Sequence, residues 1–334
     1  MSEGEPESKT MKRVLVTGAT GTIGRATVQA LLQRGFEVVA VVRPGSAAKA
    51  GTAALPAAAT VREADVLDAA ALARDGLAGE RFDVWVSCLA SRTGEPADAW
   101  RVDHRAHSEA LALLRAHGVQ QVVLLSALCV QKPRLAFQQA KLAFEAELRG
   151  SGLRWSIVRP TAFFKSLSGQ LARVRAGKPF LVFGDGRLTA CKPISDRDLA
   201  SYLAGCIDDP TRHDRVLPIG GPGPALTPLD QVALLSQLLG RELRVKAVPV
   251  RLLDAIAGTL ALAGRVWPPL RAKAELARIG RYYATESMLV WDAAAGRYDA
   301  DATPEFGTDS LRAHYAALLG GAADAGLGDH AVFR

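Results

Sequence analysis

Two hydrophobic periods take turns along the chain. Short apolar runs rich in β-branched residues recur at Val14–Val16, Val38–Val42, Phe82–Leu89, Val122–Leu125 and Trp155–Val158. Between them, apolar residues return every three to four positions. Runs that are apolar at successive positions predict strands buried on both faces, and the intervening stretches predict amphipathic helices. The first helix is predicted over Thr22–Arg34 with Gly35 as its stop, another starts near Ala69, and a long one runs from Ala97 to His117 before Gly118. Thr60–Val66 reads as a third strand. Strands alternating with helices predict an α/β fold, a doubly wound parallel sheet with right-handed crossovers. The sheet is expected over residues 11–160, completed by about 190–222, with a smaller region at 161–320 and tails at 1–10 and 321–334.

The first strand runs directly into Thr17-Gly18-Ala19-Thr20-Gly21-Thr22-Ile23-Gly24. Strand, glycine-spaced turn and helix in that order form a Rossmann dinucleotide fingerprint. Gly18 allows the turn, Gly21 lets backbone approach a pyrophosphate, and Gly24 lets the helix pack on the strand, so that N–H groups at Thr20, Thr22 and Ile23 face the anion. A site selective for NAD carries an acid about 20 residues further on, whereas an arginine there suits a 2′-phosphate. Here the second strand ends in Arg43, followed by Pro44-Gly45-Ser46, and no carboxylate comes before Glu63. That favours NADPH over NADH, the rival reading being a solvated arginine at a strand end. Asp65 and Val66 are expected at the adenine, or Asp65 caps the next helix. The small-residue end of the fourth strand, with Cys88 and Leu89, is expected beside the cofactor.

Composition narrows the classes. With 334 residues and 49% apolar content, the chain buries a large core and is neither fibrous nor disordered overall. The first ten residues are polar and acidic, which reads as a disordered tail rather than a secretory signal. No uncharged apolar run approaches the roughly 18 residues of a membrane span. Four scattered cysteines without a C-x-x-C pair, and six scattered histidines, predict no metal and a reducing, cytoplasmic setting. The net charge of +7 is concentrated between Arg241 and Arg281, which hold nine basic residues against three acidic. No nucleic-acid motif accompanies that excess, so nucleic acid ranks last among its partners. Inside this stretch, 251–265 is apolar nearly all round with basic ends, and is either buried, the wall of an apolar pocket, or a peripheral contact with a membrane surface. No pattern specifies an oligomeric state.

Further motifs add up to a family resemblance. Thr-Gly-x-x-Gly-x-x-Gly, Ser126 ending the fifth strand, Lys141 on the next helix and Arg159-Pro160 closing the sixth strand resemble an extended short-chain dehydrogenase/reductase of the atypical kind. The resemblance implies that Lys141 holds the nicotinamide ribose and that Pro160 lines the cofactor. Such enzymes carry tyrosine four residues before the lysine, where this chain has Phe137. A phenol beside an ammonium protonates an alkoxide and phenylalanine does not, so simple carbonyl reduction is disfavoured.

Five separated segments sharpen the resemblance: Cys129–Pro133, Arg159–Ser166, Phe183–Gly186, Cys191–Ser195 and Ile279–Met288. They are similar to the NADPH-dependent divinyl (proto)chlorophyllide 8-vinyl reductases of chlorophyll and bacteriochlorophyll synthesis. That resemblance implies a magnesium tetrapyrrole substrate with a free propionate, a substrate-binding role for 161–320, and work at or near a photosynthetic membrane. Lys165, Lys192 and Arg281 are then candidates for the propionate. Phe163 and Phe164 are candidate flat walls or core residues, and Phe137 and Tyr283 complete the candidate pigment site. A proton must follow the hydride, from Lys141, Ser126, Tyr282, Tyr283, Glu286 or water. The alternatives are a catalytically silent NADP(H)-binding scaffold or redox sensor, signalled by the missing tyrosine, and an isoflavone-reductase-like enzyme. Ser195-Asp196-Arg197-Asp198 reads most simply as a helix start.

Overall fold

The computed structural model describes residues 11–46, 55–92, 94–267 and 269–321, and both expected tails lie outside these except for residue 321. Strands β1 (Arg13–Thr17), β2 (Glu37–Val42), β3 (Thr60–Glu63), β4 (Val84–Ser87), β5 (Gln121–Leu125) and β6 (Arg154–Pro160) alternate with α1 (Thr22–Gln33), α2 (Ala69–Ala71), α3 (Pro96–Ala99), α4 (His107–Ala116) and α5 (Ala136–Arg149). Next come α6 (Phe164–Leu167), α7 (Leu171–Arg175), β7 (Phe180–Phe183), α8 (Asp196–Gly205), β8 (Arg215–Ile219), α9 (Pro228–Leu239) and β9 (Val245–Val248). The chain closes with α10 (Val250–Ala263), α11 (Pro269–Thr285), β10 (Val290–Asp292), β11 (Arg297–Asp299) and α12 (Leu311–Leu319).

Seven strands form one sheet in the order β3-β2-β1-β4-β5-β6-β8, with parallel pairing throughout. The order reverses direction at β1 and β4, and in such sheets ligands bind beyond the carboxyl ends of the strands at that switch. Successive side chains of β1 feed opposite faces. Val14 and Val16 join one core with Val28, Leu31, Leu199 and Leu203, while Leu15 joins the other with Trp85, Leu114 and Phe144. Helix α8 packs against α1, so the segment 196–219 completes the first core. A third cluster, Phe164, Leu171, Val174, Phe180, Leu235 and Tyr315, lies outside the main sheet.

Two local expectations are corrected and a third holds. The predicted helix over 97–117 is α3 and α4 joined by a wider π-helical segment, Trp100–Ala106, which carries the buried Asp103. π-segments of this kind concentrate at functional sites. The helix after β3 is capped by Asp68, whose carboxylate accepts from the N–H groups of Ala70 (2.9 Å) and Ala71 (3.1 Å), not by Asp65. Asp65 instead accepts from Leu67 N–H (3.0 Å) in a tight turn. At α8 the helix start holds: Ser195 Oγ accepts from Asp198 N–H at 3.0 Å.

Candidate active site

The glycine loop is fixed by backbone contact. A Cβ on Gly18 (φ +74°) would lie 2.5 Å from the Cys88 carbonyl and 2.7 Å from Leu89 N, and one on Gly24 would lie 2.2 Å from Gly18 O. No side chain fits at either place. Gly21 differs, since its Cβ would meet only Gly18 O at 3.4 Å. It is the N-cap of α1, no side chain caps that helix, and no acid stands in its first turn. Open N–H groups at a helix start form an anion site, so these residues fit the pyrophosphate of a dinucleotide. Cys88 follows β4 with its thiol desolvated and pushed up to about 12, so it packs against Thr27 as a neutral group.

Lys165 moves in meaning. Its Nζ donates to Thr22 Oγ1 at 2.9 Å, which puts the ammonium at the glycine loop. Burial raises the nearby Asp196 carboxyl even though Lys165 and Arg25 act to lower it. Arg43 stands exposed at the end of β2 and forms no ion pair among the described residues. Ser46 Oγ donates to Arg43 O at 2.5 Å, and Glu63 returns to the same turn by accepting from Gly45 N–H at 3.1 Å. Pro160 ends β6, buried and in register with Ile219.

Deeper in, Lys141 reaches from α5 to Asp103, with Nζ 2.9 Å from Oδ1. Asp103 is almost wholly buried and also accepts from Ser91 Oγ at 2.5 Å. Beside it, His107 bonds Ser87 Oγ through Nε2 (2.8 Å) and Val102 O through Nδ1 (2.9 Å). Burial, seconded by the Lys141 charge, pushes His107 down to about 4, so the imidazole is neutral at pH 7. A cavity of about 10 Å³, room for about one water, lies among Asp103, His107, Ser126, Lys141 and their apolar neighbours.

Two expected proton donors are committed elsewhere. Ser126 is buried and donates to Glu145 Oε1 at 2.5 Å, and Glu145 in turn pairs with Arg159. Tyr282 is buried with its hydroxyl on the carbonyls of Cys129 (2.9 Å) and Lys132 (3.1 Å), so it pins α11 to the loop after β5. Its neighbour Tyr283 has an exposed ring and turns its hydroxyl onto Cys129 Sγ at 3.6 Å. Phe137 is half-buried, packed with Ile279 against Cys129, Leu135, Cys191, Tyr282 and Met288. Gly94 (φ +67°) closes over this floor, where a Cβ would lie 2.6 Å from Ile279 Cδ1 and 3.6 Å from Phe137 Cδ1.

The remaining candidates separate. Lys192 is buried with Nζ on Glu305 Oε1 (2.5 Å) and Thr303 O (3.3 Å), which ties down the C-terminal loop. Arg281 pairs with Asp254 at 2.5 Å and clasps α10 to α11. Phe164 is buried in the third core, so it is a packing residue and not an open wall. Phe163 is half-buried against the first core. Glu286 is tied to Lys132 (2.7 Å), Arg134 (2.8 Å) and Tyr298 (2.5 Å), contacts that outweigh its burial and hold its carboxyl below the usual range. Each is held by partners of its own, in different parts of the fold. No group of His, Cys, Asp or Glu among the described residues has the arrangement of a metal site.

Residues 18–210 match the NAD(P)H-binding family. Over 331 residues the chain is 48% identical to the chloroplastic divinyl chlorophyllide a 8-vinyl-reductase of Oryza sativa subsp. indica, covering 96% of this chain and 82% of that protein. It is 46% identical over 319 residues to the enzyme of the same name from Arabidopsis thaliana, covering 92% and 76%. The chain belongs to the divinyl chlorophyllide a 8-vinyl-reductase family. Among solved structures, an NADPH-dependent quinone oxidoreductase from Escherichia coli, complexed with NADPH, superposes with a TM-score of 0.67 at 21% identity, covering 92% of this chain and 99% of that one. Leucoanthocyanidin reductase from Vitis vinifera, in its binary complex with NADPH, gives 0.65 at 16% identity, covering 91% and 98%. These structural likenesses concern the fold alone.

In this member of the reductase family, the residues that sequence reasoning missed are Asp103, His107, Ser87 and Glu145. All four are buried polar side chains within hydrogen-bonding distance of another polar side chain. Asp103 and His107 do carry a signal, polar residues four apart within a helix whose other inward positions are apolar.

Proposed function

We propose that this protein uses NADPH to reduce the 8-vinyl group of divinyl chlorophyllide or protochlorophyllide to ethyl, in chlorophyll and bacteriochlorophyll biosynthesis. The observation that carries the reading is near full-length identity of 46–48% to reductases of that name. NADPH supplies a hydride when bound. Thr20, Gly21, Thr22 and Ile23 take its diphosphate at the start of α1, joined by Lys165, and Arg43 takes the 2′-phosphate. Asp65 and Val66 border the adenine, and Cys88, Leu89 and Pro160 border the rest of the cofactor. Lys141 holds the nicotinamide ribose, with Asp103 as the positioning residue that fixes its ammonium.

Phe137, Ile279 and Phe163 give the pigment an apolar bed. Hydride addition to a vinyl group conjugated with the macrocycle spreads negative charge over the ring, so no phenol beside an oxyanion is required, and Phe137 fits that demand. The proton that completes the ethyl group comes from Tyr283. Burial of its hydroxyl raises the phenol well above its ordinary range and keeps it protonated at neutral pH, and its ring meets Tyr282 of the apolar cluster edge-on. Such a pigment partitions into bilayers, so the reading also brings the enzyme to a membrane surface.

Mixing the protein with NADPH and divinyl chlorophyllide tests this directly. The expected result is a small blue shift of the Soret band with stoichiometric loss of NADPH. A flat trace from folded, NADPH-loaded protein overturns the reading.

A further inference from the structure

Helices α10 and α11 form a hairpin whose surface is unlike the rest of the molecule. Six large apolar side chains on it are exposed: Leu252 (50%), Ile256 (41%), Leu262 (64%), Val266 (90%), Trp267 (66%) and Leu276 (52%). Val266 is the most exposed large apolar residue among those described, and with Trp267 it occupies the turn between the helices. On α10 only Ala257 is buried, although the helix is apolar along most of its length. A soluble helix hides such a face, and clustered exposed apolar side chains mark interaction sites.

Charge says what covers it. Arg251, Arg265 and Lys273 flank the apolar side chains, are exposed, and form no ion pair among the described residues. The hairpin's two acids are otherwise engaged, Asp254 by Arg281 and Glu275 by Arg278. An apolar tip with tryptophan at its edge and unpaired cations behind it matches the depth profile of an anionic bilayer, acyl chains first and headgroups next. At about 1.5 Å per residue, the tip at Trp267 stands some 20 Å along α11 from Tyr282, which is pinned at the apolar cluster around Phe137. The hairpin therefore joins a lipid surface to the candidate pigment site.

We infer that the α10–α11 hairpin docks the protein on anionic membrane, inserting Val266 and Trp267 between headgroups held by Arg265 and Lys273. This deepens the functional reading above, but its test does not depend on that reading. The full-length protein is floated with vesicles of phosphatidylcholine containing about one-third phosphatidylglycerol, and with pure phosphatidylcholine, at low and raised salt. The wild type is expected to float with the anionic vesicles and much less with the neutral ones, with binding weakened by salt. Val266→Ser/Trp267→Ser and Arg265→Glu/Lys273→Glu are each expected to lower vesicle affinity about tenfold or more, with unchanged NADPH affinity showing that both variants are folded. Wild type that stays in solution, or a Val266→Ser/Trp267→Ser variant that floats as wild type does, overturns the inference. So does a concentration-dependent dimer abolished by the same substitutions without lipid binding, since the face would then belong to a second copy. Vesicle binding by a protein that reduces no divinyl pigment leaves the docking intact and overturns only the enzymatic reading.

Discussion

The glycine loop and the α10–α11 hairpin stand at opposite ends of a scale of internal constraint. At the loop, backbone meets backbone, with Gly18 against Cys88 and Leu89, and Gly24 against Gly18 itself. Nothing there can move without moving β1, β4 and α1 together. On the hairpin, a Cβ added to Gly258 or Gly280 meets nothing within 4 Å, and most of the α10 side chains face solvent. The cofactor region is thus built before its ligand arrives, whereas the hairpin's two helices pack closely on each other and are tied to the rest of the molecule through contacts such as Tyr282 to the carbonyls of Cys129 and Lys132. Backbone held against backbone marks the first region, and side chains facing solvent mark the second.

The sharpest way to break this contrast lies inside the loop. Gly24→Val drives side-chain atoms into Gly18 O, so we expect a loss of stability of more than about 4 kcal/mol and no soluble, cooperative unfolding transition. Gly21→Val faces only a 3.4 Å contact. It is expected to leave the melting temperature within a few degrees of wild type while abolishing NADPH binding, because its side chain takes the space of the diphosphate. Thermal melts and fluorescence titrations of the two variants decide it, and a Gly21→Val protein that binds NADPH normally places the phosphates elsewhere.

The next largest effect concerns buried polar groups, which the cofactor region has and the hairpin largely lacks. His107 is neutral in the fold, with its pKa pushed down to about 4, against roughly 6.5 when unfolded. Because the folded value is the lower, the unfolded chain takes up the proton first as pH falls. Stability from this group is therefore complete above about pH 6.5 and is lost progressively down to about pH 4, on the order of 2–4 kcal/mol. Denaturant melts between pH 7 and 4 should show this fall, and His107→Gln should flatten part of it at the cost of a lower starting value. Unchanged slopes in the variant would show that other groups carry the acid sensitivity.

How much of this was legible in the sequence differs between the regions for the same reason. The order of strands and helices, the glycine turn and the Ser195 cap depend on neighbours within a few residues, and local patterns record them. The roles of Lys192, Arg281, Tyr282 and Ser126 depend on partners at Glu305, Asp254, Cys129 and Glu145, between 19 and 153 positions away. A basic residue in a shared segment looks the same whether it meets a substrate or a buried glutamate. Lys165 illustrates the point: its partner Thr22 lies 143 positions earlier, and only that contact shifts its proposed role from the pigment to the diphosphate.

Lys165 and Arg43 give a mid-sized prediction. Each makes a charge-assisted contact to a phosphate in this reading, so Lys165→Met and Arg43→Asp are each expected to weaken NADPH by about 1–3 kcal/mol. The two should differ in kind. Arg43→Asp loses its preference for NADPH over NADH, whereas Lys165→Met weakens both cofactors alike. Lys165→Met should also treat the pigment acid and its ester equally in KM. A KM that rises for the acid alone returns Lys165 to the propionate.

The smallest effect is expected at Phe137, where the short-chain dehydrogenase/reductase resemblance implies a tyrosine. Phe137 packs against Ile279 and under Gly94, on the helix that carries Lys141 one turn later, so the two side chains lie on the same face. Adding a hydroxyl in Phe137→Tyr restores the phenol of a carbonyl-reducing site but gives it no alkoxide to protonate. If the macrocycle takes up the developing charge, the hydroxyl neither helps nor greatly harms, and vinyl reduction should stay within about tenfold, or about 1.4 kcal/mol of barrier. Lys141→Ala removes the partner of a buried carboxylate as well as the ribose contact, so its single-turnover rate should fall much further. A gain of more than tenfold in Phe137→Tyr would mean that charge does localise near residue 137, and that proton delivery from that helix face, not from Tyr283, limits the reaction.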